Sequence, residues 1–460
     1  MSNKMQRFGE ANTLIRLAIP MIISQGAFAL MIFTDRYFMA QISPLHMAAA
    51  LGGGVSSFLC LSFFVGLVAY GNALVAQYFG AGNYEKCPKV ISAAYMITLF
   101  SLPIIWIMGY ASTYLFTWMG HSPAQIALET DYLFVLQLGA GFALAKIALA
   151  CFFAGTGRTQ IVMIADTLGV LINIPLSYLL IHGLLGLPKL GIVGAGLGTL
   201  LSNLIVIGIY AIPYFSQRNR NKYSINKSFV VDKNIFKRYL RLGIPSGAEL
   251  FMNMAAFNLF LLMFQSFGVV EGASAAIIFN WDILSFVPIS GMAIAVVSLT
   301  GRKLGANDIS AIESVSRAGF LIALGYASLL ALLFYYFQEP MINLFLTNTA
   351  PDQAKAIFDL SKFMMIGLIS YLLADAIVQI AGAVLRGVGD TKWLMITSIS
   401  IHWLMLFAQI VVIKVFNLSS KIAWLVFVVM ILALAIIYLL RLAQKKWLED
   451  DFRHKILQES

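Results

Sequence analysis

Charge is scarce in this chain. Asp, Glu, Lys and Arg make up 11% of its 460 residues, hydrophobic residues make up 60%, and the mean hydropathy is +0.85. The stretches 17–34, 47–84 and 90–128 contain no charged residue at all. That balance excludes a soluble domain and fits a chain in which roughly 20 residues at a time must cross about 30 Å of hydrocarbon. Cysteine is also rare. Cys60, Cys87 and Cys151 have no metal-ligand spacing and are too few for a disulfide framework, so they read as two apolar fillers and a loop thiol. The five histidines are dispersed, at 46, 121, 182, 402 and 454. There is no phosphate-binding Gly-Lys-Ser/Thr loop, no His-Glu-x-x-His and no nucleophile elbow. Nucleotide hydrolysis is thereby excluded as an energy source, an intramembrane enzyme would lack a catalytic constellation, and any transport must run on an ion gradient. Residues 1–13 are polar and lack the apolar core of a cleaved leader, so the first span is expected to stay.

The chain also repeats itself. Ile15-Arg-Leu-Ala-Ile-Pro20 returns as Leu240-Arg-Leu-Gly-Ile-Pro245, 225 positions later. Gly80-Ala-Gly82 returns at that offset as Gly305-Ala-Asn307, and Gly155-Thr-Gly-Arg-Thr159 returns as Gly387-Val-Gly-Asp-Thr391. Apolar segments separated by charged or Pro/Gly-rich breaks number twelve, near 14–36, 48–77, 90–112, 128–154, 160–182, 191–215, 235–266, 272–299, 315–337, 358–385, 393–415 and 420–442. The expected fold is therefore all-α and integral to the membrane: twelve transmembrane helices in two six-helix bundles. Six spans per half make the repeat parallel, with a pseudo-two-fold axis along the membrane normal. The expected units are a bundle at 1–216, a basic linker at 217–233, and a second bundle with its tail at 234–460.

Lys and Arg set the orientation. Apart from Lys146 inside a span, only Arg36, Lys189, Lys355, Lys362, Lys414 and Lys421 fall on the side opposite the termini, which leaves 24 of the 31 basic residues on the side of the termini and the linker. Both termini are accordingly expected in the cytoplasm of a bacterial inner membrane. The net charge of +10 then points to anionic lipid headgroups rather than nucleic acid. No obligate protein partner is indicated.

Candidate functional residues are the ionisable groups inside spans: Asp35, Lys146, Asp166, Glu249, Asp375 and, with weaker claims, Asp282 and His402. A charge near the bilayer centre costs roughly 2.5 to 3.5 kcal/mol, so each needs a purpose or a partner. Counting rise from the nearest basic residue places Asp375 about 16 Å in, Glu249 about 12 Å in and Asp35 about 28 Å in. A structural hydrogen bond or ion pair is the bland alternative for each. For Asp35, Glu249 and Asp375 function is favoured, because intramembrane carboxylates face cavities and bind cations or protons. For Asp166 the simplest account is an ion pair with Lys146. Asp282, counted from Arg302, falls at the outer rim, and His402 reads as hydrogen-bonded to a neighbour. Pro20, Pro245, Pro175 and Pro288 are candidate kinks, and glycines such as 52–54 read as packing residues. Trp106, Trp118, Trp393 and Trp424 read as interface anchors. The 34 Phe, 20 Met and 18 Tyr suit a pocket for flat organic cations.

In order along the chain, the Pro20 entry, Thr34-Asp35, Ala76-Gln-Tyr-Phe-Gly-Ala-Gly82, Gly155-Thr-Gly157, Asn173-Ile-Pro-Leu-Ser-Tyr178, Ile244-Pro-Ser-Gly-Ala-Glu249, Leu304-Gly-Ala306 and Arg386-Gly-Val-Gly-Asp-Thr391 resemble the multidrug and toxic compound extrusion family, in its NorM-type branch. The resemblance implies an antiporter of two bundles around a V-shaped cavity, exporting organic cations in exchange for sodium ions or protons, with no other cofactor. It implies coupling roles for Asp35, Glu249 and Asp375, with Glu249 and Asp375 together holding Na+, and polar cavity roles for Asn173, Ser177 and Asp166. Ser177 stands where one branch of the family carries Asp and NorM-type members often carry Asn, so the proton switch of that first branch does not transfer intact. Arg36 directly after Asp35 is a second departure. It reads as snorkelling to the outer interface. The rival reading is a lipid-linked oligosaccharide flippase of the same superfamily, which would need a basic cavity.

The basic-residue split makes the first prediction. In a background without native cysteines, Ser43→Cys and Asp352→Cys should react with an impermeant thiol reagent added outside intact cells, and Asn226→Cys should not. Labelling at Asn226 would reverse the orientation.

Overall fold

The computed structural model describes residues 2–119, 121–230, 232–346 and 351–445; the end of the tail expected at 234–460 lies outside them. With no water in hydrocarbon to pair backbone groups, a spanning segment must close its own hydrogen bonds, and the described residues are accordingly helical and free of strands. Eleven helices are long and apolar enough to cross a membrane, and a bent pair supplies a twelfth span. In the first half these are α1 (Ser2–Ile42), α2 (Leu45–Gly80), α3 (Lys86–Trp118), α4 (Pro123–Leu138 with Ala140–Gly155), α5 (Thr159–His182) and α6 (Ile192–Tyr214). In the second they are α7 (Lys233–Gln265), α8 (Val269–Gly305), α9 (Ile309–Asn343), α10 (Pro351–Val388), α11 (Thr391–Val415) and α12 (Ser420–Ala443).

Local sequence sets the ends. Ser122 accepts from the Gln125 amide at 3.3 Å ahead of Pro123, and Asp232 and Asp308 accept from the amides of Ile235 and Ala311 at 3.3 and 3.2 Å. After α2 the chain turns through Gly82 at φ +75°, and its repeat mate after α8, Asn307, takes φ +56°. Asn is the residue other than Gly that best tolerates that conformation. The helices α1, α5, α7 and α8 run unbroken through Pro20, Pro175, Pro245 and Pro288. The break comes instead in α4, where two helices meet at Gly139 with a 43° bend.

The two halves exchange their second helices: α1 packs on α8 and α7 packs on α2. Glycines make these crossings close. A Cβ on Gly66 would lie 2.7 Å from the Ser246 carbonyl oxygen and 2.9 Å from the Gly247 Cα. One on Gly291 would lie 2.6 Å from the Ile22 Cα. Gly66 and Gly291 are repeat mates, and so are Ile22 and Gly247. Nearer the linker, a Cβ on Gly80 would collide with the Arg302 carbonyl and one on Gly305 with the Gln77 carbonyl. Polar ties reinforce the seam: Asn72 Nδ2 donates to the Ile294 carbonyl at 3.2 Å, Ser298 Oγ to the Ala154 carbonyl at 2.6 Å, and Gln77 Nε2 to the Gly387 carbonyl at 2.9 Å. The seam is therefore closed on the face that carries the linker.

The linker is folded rather than loose. A short helix, Gln217–Tyr223, and a 3-10 turn, Ile225–Lys227, bury Tyr223 and Ile225 against the first lobe. Ser92 Oγ donates to the Ser228 carbonyl at 2.6 Å, and Lys89 pairs with Asp232 at 3.4 Å. Cys87, expected as a loop thiol, is buried in the first turn of α3, where its Sγ meets the Val75 carbonyl. Trp424, expected at an interface, is fully buried in the second lobe, stacked on Phe427 and lodged against Gly367.

Overpacking a crossing of this kind costs roughly 1 to 3 kcal/mol. Gly291→Val should therefore lower the closed-to-open ratio of the linker face by roughly 5- to 150-fold. Spin labels at Asn83→Cys and Asp308→Cys should read longer distances in that variant. An unchanged distance distribution would mean that the crossing does not hold the face shut.

Candidate functional site

In the first lobe, Asp35 is buried on α1 among α5 and α6. Its Oδ2 accepts from Thr199 Oγ1 at 3.3 Å, Ser177 stands beside it, and its Oδ1 has no protein partner. Asn173, one turn from Ser177, is fully buried with both amide atoms unpartnered. Asp35, Ser177 and Asn173 are thus all buried, with side-chain atoms that have no protein partner. Unpaired polar atoms are costly in such a place unless something mobile and polar serves them. Arg36 points away, exposed.

Asp166 belongs to a different arrangement. It accepts from Ser24 Oγ and, at 3.2 Å, from Tyr210 Oη, so it ties α1, α5 and α6 together. The expected Lys146–Asp166 ion pair does not form. Lys146 lies over the Phe28 ring at 5.8 Å. Lys146 lies twelve residues before Arg158 and Asp166 eight after it, and the two side chains turn to different partners.

In the second lobe the expected pair comes apart. Glu249 is buried on α7 and accepts from Arg386 Nη2 at 2.7 Å, with Tyr438 close by and Oε2 unpartnered. Asp375 sits on α10 three turns away from Arg386, beside Gln379. Its carboxylate neighbour is Asp282 of α8 rather than Glu249. Tyr371, one turn before Asp375 and 1% exposed, donates to Asp282 Oδ1 at 3.1 Å. Asp282, expected at the outer rim, is thus inside the lobe. The α8–α10 pair Asp282 and Asp375 can share a cation or a proton, because two carboxylates in a low dielectric resist being charged together. The guanidinium of Arg386 already balances Glu249, whereas a Na+ site made of Glu249 with Asp375 would need both carboxylates together.

His402 Nδ1 lies 2.8 Å from the Ser398 carbonyl, a neighbour's hydrogen bond as expected. Glu129 escaped the sequence reading. It is fully buried at the outer part of α4, within 2.9 Å of both His121 Nδ1 and Gln125 Nε2. A Cβ on Gly52 would collide with Glu129 Oε1, so the run Gly52-Gly53-Gly54 was the available signal. A hollow of 460 Å³ lined by Asn343, Leu346, Ala354, Lys355 and Phe358 contains none of these acids.

Comparison with known proteins adds the following. The MatE family model matches residues 20–179 and 245–408, one match in each half, and the two matches start 225 residues apart. A probable multidrug resistance protein NorM from Pseudomonas putida is 28% identical over 401 residues, 86% of each chain. Among solved structures, a MOP superfamily transporter from Pyrococcus furiosus superposes with a TM-score of 0.86 at 22% identity, covering 96% of this chain and 97% of that one. The eukaryotic MATE transporter AtDTX14 superposes at 0.86 with 15% identity over 98% and 99%. These relatives are transporters, and the many apolar helices make this chain an integral membrane protein.

Removing one partner of a buried ion pair costs roughly 3 kcal/mol, because the other charge stays behind. Arg386→Gln should lower the thermal stability of the purified protein by about that amount, and adding Glu249→Gln should restore most of it. Equal losses in the single and the double variant would show that the pair is not what stabilises this corner.

Proposed function

This chain belongs to the MatE family, in its NorM-type branch, and from that premise we propose that it is an antiporter exporting organic cations in exchange for Na+ or H+. The observation that carries the reading is the sign of the buried charge. Each lobe holds a buried carboxylate with an unpartnered oxygen, Asp35 Oδ1 and Glu249 Oε2, and Lys146, inside the fourth span of the first lobe, is occupied by an aromatic ring. A cavity of that polarity suits cationic drugs and monovalent ions. The rival flippase would have to hold a polyanionic headgroup, and these lobes offer it acids.

In this reading the linker face is cytoplasmic and the membrane is the bacterial inner membrane. Asp35 takes up and releases a proton or ion in the first lobe, served by Asn173 and Ser177. Asp375 with Asp282 does so in the second lobe, and Tyr371 orients Asp282. Glu249 keeps a role through Arg386: its charge sets the field at the linker end of the second lobe, and its free oxygen can hold an ion only as the guanidinium moves off. Ion and drug compete for the same negative charge, so each weakens the other's binding by the same factor.

The test is transport of a cationic dye in proteoliposomes under an imposed sodium gradient and then an imposed pH gradient. Asp35→Asn, Glu249→Gln and Asp375→Asn should each cut export at least about tenfold, which corresponds to about 1.4 kcal/mol of lost coupling, while Ser177→Ala stays near parental rates. Dye affinity should fall as the coupling ion rises, and that response should disappear in Asp282→Asn. Parental export by all three acid variants would remove the antiport assignment. An intact ion response in Asp282→Asn would return the second-lobe site to Glu249 and Asp375.

A further inference from the structure

The repeat supplies an internal control for the linker face. Gln77 and Arg302 occupy equivalent positions at the ends of α2 and α8, and each reaches across the seam to a glycine turn of the opposite lobe. On one side Gln77 is fully engaged: its amide nitrogen donates to the Gly387 carbonyl at 2.9 Å, and its oxygen accepts from Arg238 Nη2 at 2.7 Å. The charge at that turn is balanced as well, since Asp390 pairs with Arg441 at 2.8 Å.

The other side differs. Arg302 lies against Gly157, where a Cβ would strike its Nη1, and over the Phe79 ring at 4.9 Å. Arg158, the next residue in that turn, donates to Asn219 Oδ1 at 3.0 Å and keeps its Nη2 buried without a partner. Its guanidinium is 5.8 Å from the Tyr223 ring. Lys222, exposed on the linker, stands over Tyr84 at 4.7 Å, Phe79 at 5.1 Å and Tyr223 at 5.3 Å. Lys222 of the linker thus shares the Phe79 ring with Arg302 of the second lobe and the Tyr223 ring with Arg158 of the first. Among the described residues, no carboxylate lies within ion-pair distance of Arg158, Lys222 or Arg302. The nearby acids are engaged elsewhere: Glu10, which Arg302 senses at longer range, pairs with Lys303 at 2.5 Å, and Glu85 accepts from Ser224 Oγ at 3.0 Å. Burial, opposed by Tyr223 and reinforced by the like charge of Arg218, holds Arg158 below its usual pKa. Aromatic faces lessen the repulsion of gathered cations but do not neutralise it.

We propose that Arg158, Lys222 and Arg302 form a binding site for a phosphate-type oxyanion on the linker face, and that the bound anion bridges the two lobes and stabilises the closed state of that face. The chemistry is forked guanidinium donors plus a mobile ammonium, the set that recognises tetrahedral oxygen anions. A phospholipid headgroup and free inorganic phosphate both present it.

The experiment uses the full chain labelled at Asn83→Cys and Asp308→Cys in a background without native cysteines, and reads the distance across the linker face. Inorganic phosphate is titrated in detergent, and phosphatidic acid is titrated against phosphatidylcholine in nanodiscs. The closed fraction should rise with one of them, with an apparent affinity at least about tenfold weaker in Arg158→Gln, Arg302→Gln and Lys222→Gln than in the Lys233→Gln control. Lys222 takes no part in the seam, so its variant keeps the test valid if either arginine variant alters closure directly. A response to phosphate in detergent identifies a soluble anion, and a response to phosphatidic acid alone identifies a headgroup. No response to either, or equal responses in Lys222→Gln and Lys233→Gln, overturns the site.

Discussion

The architecture depends on backbone meeting backbone at four glycines. Gly66 and Gly291 let α2 and α8 cross α7 and α1 with no side chain between them, and Gly80 with Gly305 brings the ends of α2 and α8 together near the linker. Helices in lipid gain little from the hydrophobic effect on associating, so close van der Waals approach and a few hydrogen bonds must hold the halves together. Because the crossings are symmetry mates, the lobes cannot loosen at one without loading the other.

The acids are sorted by their neighbours. Asp166 is satisfied by Ser24 and Tyr210 and so is structural. Glu249 is balanced by Arg386. Asp35 is left with one oxygen that has no protein partner, and Asp375 lies near Gln379, Asp282 and Tyr371. Whether a buried carboxylate is satisfied thus depends on whether the adjoining helices bring donors to it.

Much of this was legible in the sequence. The repeat, the twelve spans and the burial of Asp35 and Glu249 follow from apolar run lengths and from the cost of a charge in hydrocarbon, whereas buried Glu129 gave no such signal. What was not legible is azimuth. These helices are apolar nearly all round, so no period tells which way a given residue faces; Lys146 and Asp166 turn to different partners, and Glu249 meets Arg386, three turns along α10 from Asp375. Depth itself was overcounted for Asp282. At 37 residues α8 is about 56 Å long against a core of about 30 Å, so Arg302 stands well outside the hydrocarbon and a count from it lands too far out. Trp424 misled for a related reason. It sits near a span end, but Gly367 leaves the space that draws its indole inward.

The linker's anchorage limits how far the molecule can move. Ser228 is held by Ser92, and Asp232, which caps α7, is held by Lys89 of the same helix. The four-residue step between Ser228 and Asp232 reaches at most about 14 Å when fully stretched. The start of α7 is therefore leashed to the first lobe even as the rest of the second lobe swings. Such a leash is a mechanical stop: the start of α7 cannot move farther from α3 than the chain allows without breaking the Ser92 and Lys89 contacts.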